Sequence, residues 1–151
     1  DDACGPVQAT RANIEKLKEL IGDITPRDAT NFEAAFQMAF TALSTRTEFF
    51  SNCHRVILFL TDGNPTRGAT SPLAILNAIE RGQASLGANK AYIFTYSFGA
   101  DLSDDAERLM KEIACANNGI WAPVSDTGAS ALRTRCGPTR ARAPCERAAR
   151  A

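Results

Sequence analysis

The chain has 151 residues, 44% hydrophobic and 23% charged, with 17 basic and 17 acidic side chains, which fits one globular domain large enough to bury a core. The even balance hides an asymmetry, because the last 19 residues hold six arginines and one glutamate, so that residues 1–132 carry −5 and the tail +5. No basic patch is interleaved with aromatics, which argues against a nucleic-acid partner, and no apolar run reaches the about 20 residues that cross a bilayer.

The sequence opens at Asp1 without a methionine and is read as a piece of a longer protein. Residues 1–8, with Cys4, Gly5 and Pro6, read as a loop. Over residues 9–21, Ile14, Leu17, Leu20 and Ile21 fall at helical spacing with Glu15, Lys16, Lys18 and Glu19 opposite, an amphipathic helix stopped by Gly22. After a loop broken by Pro26, Thr30-Asn31-Phe32-Glu33 has the form of a capping box with Thr30 as the N-cap. Phe32, Phe36, Ala39, Phe40 and Leu43 make the buried stripe of the helix behind it.

Residues 56–60, Val-Ile-Leu-Phe-Leu, are too few for a core helix and rich in β-favouring types, so they predict a strand buried on both faces. Thr61-Asp62-Gly63-Asn64-Pro65 ends it. Ligands of open α/β sheets bind at the carboxyl ends of strands, so Asp62 stands where a metal ligand or catalytic group is expected; capping a turn is the plainer role for it. Ser71-Pro72 starts a helix carrying Leu73, Leu76, Ile79 and Leu86, residues 91–98 form an aromatic second strand, and Ser103 caps a third periodic helix through Leu109, Met110 and Ile113. Asn118-Gly119 stops that helix. Residues 120–124 give a short third strand, and 128–135 a last helix.

This alternation predicts an α/β fold, a partial doubly wound, Rossmann-like arrangement of parallel strands with helices on both faces. Three strands make a small sheet, and a strand buried like 56–60 needs a neighbour on each side. The second neighbour is expected upstream of Asp1 or from another chain. Residues 1–132 form this partial domain, and 133–151 a basic Pro/Ala/Arg-rich tail or linker.

Five cysteines, Cys4, Cys53, Cys115, Cys136 and Cys145, occur without a Cys-x-x-Cys pair and with a single histidine. That pattern favours disulfides over structural zinc and implies an oxidising compartment. Cys53 and His54 are adjacent in an extended segment, so their side chains point to opposite faces and cannot share a proton.

Thr30-Asn31 opening a helix, with Leu60-Thr61-Asp62-Gly63 at a strand end, resembles the von Willebrand factor A domain. Ile93-Phe-Thr-Tyr-Ser-Phe-Gly99 and Ile113-Ala-Cys-Ala-Asn-Asn-Gly119 are similar to segments of that domain in alpha-2-delta auxiliary subunits of voltage-gated calcium channels and related proteins, as are Cys4-Gly-Pro-Val-Gln8 and the place of Cys53. The resemblance covers roughly residues 3–132. It implies a metal-ion-dependent adhesion site built from an Asp-x-Ser-x-Ser loop, a Thr and an Asp, onto which Thr30 and Asp62 map as metal ligands for Mg²⁺ or Ca²⁺. The first loop and the first strands are missing. Asp101-Leu-Ser-Asp-Asp105 is its nearest match, but Ser103 is explained there as a helix cap. Two oxygens are too few for a hard cation, so metal binding by this fragment is expected to be weak or absent. The resemblance also places Cys4 and Cys53 where they can pair, and Cys115 where it can bridge to another segment. Cys136 and Cys145 enclose a short loop and can pair with each other, although the sequence fixes no connectivity.

The function expected is therefore non-enzymatic: a cell-surface or extracellular, membrane-associated binding module, similar to a calcium-channel auxiliary subunit, that captures a partner's acidic side chain through the metal. A channel subunit and the remainder of the same polypeptide are the partners implied. A scaffold domain without a working metal site is the alternative, and a phosphoryl-transfer enzyme using Asp62 a third reading, weakened by Asn64 where a second carboxylate belongs and by the lack of a Gly-rich phosphate loop.

Overall fold

The apolar run after His54 forms β1 (Arg55–Thr61) in a computed structural model that describes residues 7–25, 29–45, 54–99 and 102–124. It pairs in parallel with β2 (Ala91–Phe98), from Arg55 opposite Ala91 to Thr61 opposite Ser97, and β2 pairs in parallel with β3 (Trp121–Val124). The order β1-β2-β3 leaves β1 at one edge among the described residues. The crossovers are α3 (Pro72–Ser85) and α4 (Asp104–Ala116), and α1 (Arg11–Gly22) and α2 (Phe32–Thr45) precede the sheet. This is the α/β alternation expected.

Helix starts follow local chemistry. The hydroxyls of Thr10, Ser71 and Ser103 accept from the backbone N–H of Asn13, Ala74 and Ala106 respectively, three residues on in each case, and Pro72 takes the first helical position, where it has no N–H to waste. At the other end of α4, Asn118 enters the left-handed region at φ 53° and stops the helix.

One face of the sheet carries the core. Ile57 and Ile93 pack with Phe32, Phe36 and Phe40 of α2, Ile75 and Ile79 of α3, and Leu109, Met110 and Ile113 of α4 in a single cluster. Phe59 holds α2 to β1: its ring meets Phe32 edge-on at 4.9 Å and stacks on Phe36 at 4.5 Å, contacts worth about 0.5–1.5 kcal/mol each beyond their area. Most buried polar groups of this layer are bonded, the Trp121 Nε1–H being left without a partner. Thr95 Oγ1 donates to the Met110 carbonyl at 2.9 Å. The Gln83 amide donates to the Ala91 carbonyl and Asn117 Oδ1, both at 2.7 Å, while its oxygen accepts from the Ala91 N–H at 2.9 Å, tying α3, β2 and the end of α4 together.

The other face differs from the sequence reading. Val56, Leu58 and Leu60 are 45%, 61% and 55% exposed, so β1 is not buried on both sides as the unbroken apolar run suggested. The reason is geometric: the described helices that enter the core lie on the face of Ile57 and Phe59, and among the described residues β1 has a neighbour along one edge only. On α1, Ile14, Leu17, Leu20 and Ile21 are likewise exposed, and none of its residues is buried. The helix expected over 128–135 and the 133–151 tail lie outside the described residues.

Gly119 sits where the chain turns from α4 into β3, and a Cβ there would overlap the Ile93 carbonyl oxygen. Because that oxygen belongs to a core strand it cannot move aside. Gly119→Ala is expected to cost at least the about 1–3 kcal/mol of an overpacked core, read as a lower urea midpoint with unchanged slope.

Candidate functional site

At the carboxyl end of β1 the chain makes a tight turn stapled by Thr61, whose hydroxyl donates to the Gly63 carbonyl at 3.0 Å and accepts from the Gly63 N–H at 3.2 Å. Thr61 is buried on the core side. Asp62, one residue on, therefore emerges on the opposite side and is exposed.

The loop that follows is laced to two helix N-termini. Asn64 Oδ1 accepts from both the backbone N–H and the hydroxyl of Ser103, at 3.0 and 2.9 Å, which fixes the turn to the start of α4. Thr66 Oγ1 accepts from the Thr30 N–H at 3.0 Å, and the Thr30 carbonyl accepts from Thr66 and Arg67 at 2.9 and 3.1 Å. Glu33 Oε2 accepts from the Ala69 N–H at 3.0 Å. Gly68, at φ 70°, lies so close to Asn31 that a Cβ would meet its amide oxygen at 2.6 Å, and its positive φ is one that L side chains rarely adopt.

These bonds correct the reading of the α2 start. The cap is Asn31, not Thr30: Asn31 Oδ1 accepts from the Ala34 N–H at 3.0 Å and its carbonyl from Ala35, while Glu33 reaches across to the loop instead of back to the cap. The Thr30 hydroxyl is left with no hydrogen bond among the described residues and lies about as near Gly63 as contact allows, 3.3 Å from where a Cβ would stand. The Ser103 cap holds as expected, with Asp104, Asp105 and Glu107 in its first turn.

The structure thus brings Thr30 to the turn that carries Asp62. The hydroxyls of Thr61, Thr66 and Ser103 are all engaged, whereas Thr30 Oγ1 and the Asp62 carboxylate have no partner among the described residues. Both are hard oxygen donors, the right type for Mg²⁺ or Ca²⁺. Their number does not fit: such cations take about six oxygens or more, and no group of three or more His, Cys, Asp or Glu converges among the described residues. Of the cysteines, Cys115, half-buried on α4, is disulfide-bonded; Cys4, Cys53, Cys136 and Cys145 lie outside the described residues.

Sequence reasoning missed Asn31, Asn64 and Thr66. A signal existed for the first, since Asn directly before the first apolar position of a helix is a cap preference as strong as Thr. Asn64 and Thr66 act on residues 39 and 36 positions away, a pairing no local pattern encodes. Asn31→Ala is expected to cost about 1 kcal/mol, while Thr30→Val stays within about 0.5 kcal/mol. Thermal unfolding of the two variants checks which residue caps α2.

No family model matches the chain. It is 28% identical over 139 residues to inter-alpha-trypsin inhibitor heavy chain H6 of Homo sapiens, covering 88% of this chain and 10% of that protein. It is 26% identical over 129 residues to voltage-dependent calcium channel subunit alpha-2/delta-2 of Homo sapiens, covering 85% and 10%, and 31% identical over 133 residues to inter alpha-trypsin inhibitor heavy chain 4 of Mus musculus, covering 84% and 13%. The chain spans about a tenth of the length of the curated relatives it matches. Similarity to two groups of proteins over the same stretch, together with the parallel sheet and the Thr30–Asp62 corner, supports a von Willebrand factor A-like domain.

Proposed function

We propose that the chain is a non-enzymatic protein-interaction module of extracellular or cell-surface setting, in which Thr30 and Asp62 contribute to a divalent-cation site that presents an open position to an acidic side chain of a partner protein. The observation that carries this reading lies at the end of β1: the hydroxyls of Thr61, Thr66 and Ser103 are engaged, while the Thr30 hydroxyl, lying against Gly63, and the neighbouring Asp62 carboxylate have no hydrogen-bond partner among the described residues. Donors beyond the described residues must complete the set. The similarity to calcium-channel alpha-2/delta-2 and inter-alpha-trypsin inhibitor heavy chains supports the interaction role, and a channel subunit or the rest of a longer polypeptide is the partner we propose.

The short donor set favours a second reading, a scaffold domain whose metal site does not work. Chemistry at Asp62 has less support: phosphoryl transfer calls for a second carboxylate, but residue 64 is an Asn whose amide oxygen is committed to Ser103.

Calorimetric titration of the chain with Mg²⁺ and with Ca²⁺ separates the two. Saturable binding in the millimolar range, abolished by Asp62→Ala and weakened by Thr30→Ala, is expected for an incomplete oxygen site. Heats identical for the parent chain and Asp62→Ala at every concentration favour the scaffold.

A further inference from the structure

We propose that Asn118 is a site of spontaneous deamidation, held closed in the folded chain by the last turn of α4, and that its conversion unseats β3. The proposal does not rest on the cation reading.

Of the asparagines in the chain, only Asn118 is followed by glycine. In this reaction the backbone nitrogen of the next residue attacks the side-chain amide carbon. The nitrogen gives up its proton to water, the new N–C bond closes a cyclic imide, and ammonia leaves. Water then opens the imide at either carbonyl, giving aspartate or isoaspartate. A side chain on the next residue crowds the attack, and glycine has none.

The exposed side chain of Asn118 and the bare Gly119 meet these needs in part. The fold withholds the rest. The Gly119 N–H donates to the Ala114 carbonyl at 2.9 Å, so the attacking nitrogen is engaged at the end of the helix. Gly119 is buried and lies so close to the Ile93 carbonyl oxygen that even a Cβ would not fit, which keeps the peptide from swinging toward the Asn118 side chain. Both restraints lapse together when the last turn of α4 opens, a local event that takes less free energy than global unfolding.

The adjacent Asn117 is the internal contrast. Its Oδ1 accepts from the Gln83 amide and its Nδ2 donates to the Ile113 carbonyl, both at 2.7 Å, and the residue after it carries a side chain. Its amide is fixed at both ends and is spared.

The two products differ in consequence. Isoaspartate routes the main chain through an extra carbon between residues 118 and 119. The Gly119 N–H then loses its reach to Ala114, and β3, which begins at Trp121 and pairs with β2, loses its seat. Aspartate leaves the backbone intact and adds a negative charge beside the carbonyls that end α4, where the helix dipole disfavours it.

The full chain is aged at body temperature and slightly alkaline pH, folded or in guanidinium chloride. It is then reduced, alkylated and digested with trypsin. Mass spectrometry of peptide 112–133 reads the gain of an acid for an amide, with a zero-time digest as background. Conversion is expected at Asn118 and not at Asn117, slower by about tenfold or more in the folded chain because opening of α4 gates it. The acidic fraction of the folded, aged chain, separated by ion exchange, should unfold at a lower urea concentration than the Asn118→Asp variant, since only the aged chain contains the lengthened backbone. Equal rates in the folded and denatured chain, no conversion of Asn118 in the denatured chain, or conversion at Asn117 in the folded chain overturns the gated site. An aged fraction as stable as Asn118→Asp overturns the link to β3.

Discussion

The parity of β1 is the constraint on which the rest of the molecule depends. Ile57, Phe59 and Thr61 point into the helix-covered face because Phe59 is gripped by Phe32 and Phe36 of α2. Once that is fixed, side-chain alternation sends Val56, Leu58, Leu60 and Asp62 to the other side. A slip of one residue would bury the carboxylate among aromatic rings and expel the core, so register is strongly specified. The position of Asp62 at the rim is thus a consequence of hydrophobic packing several residues earlier, before any role for the carboxylate is considered.

Parity alone places Asp62 but does not hold it. The loop after β1 is long enough to wander, and what prevents this is a set of hydrogen bonds from elements far away in sequence. Asn64 binds the start of α4, Thr66 and Thr30 bind each other, and Glu33 binds Ala69. Each is worth about 1 kcal/mol net, modest singly, but together they tie three segments without any cation. The corner is therefore organised in advance, and a ligand arriving there need not supply the entropy of ordering the loop.

The layers and the turn at Asp62 were legible from sequence because they rest on local signals: apolar period, cap residues at Ser71 and Ser103, Gly and Asn at helix ends. β2 begins and ends where its aromatic run does. The burial of β1 was misjudged because an unbroken apolar run says what a strand could bury, and not what is present to cover it. Asn31 was overlooked because Thr30 and Asn31 are both good caps, and the choice between them is made by Thr66, which occupies the Thr30 N–H. The disulfide at Cys115 shows the same limit from another side: composition pointed to oxidised cysteines, but pairing depends on tertiary placement.

A strand lying along the β1 edge in parallel orientation and bringing further oxygen donors would satisfy the backbone groups of that edge and complete the coordination begun by Thr30 and Asp62 together. The edge left open among the described residues and the short donor set among them are then two aspects of one feature of the described sheet.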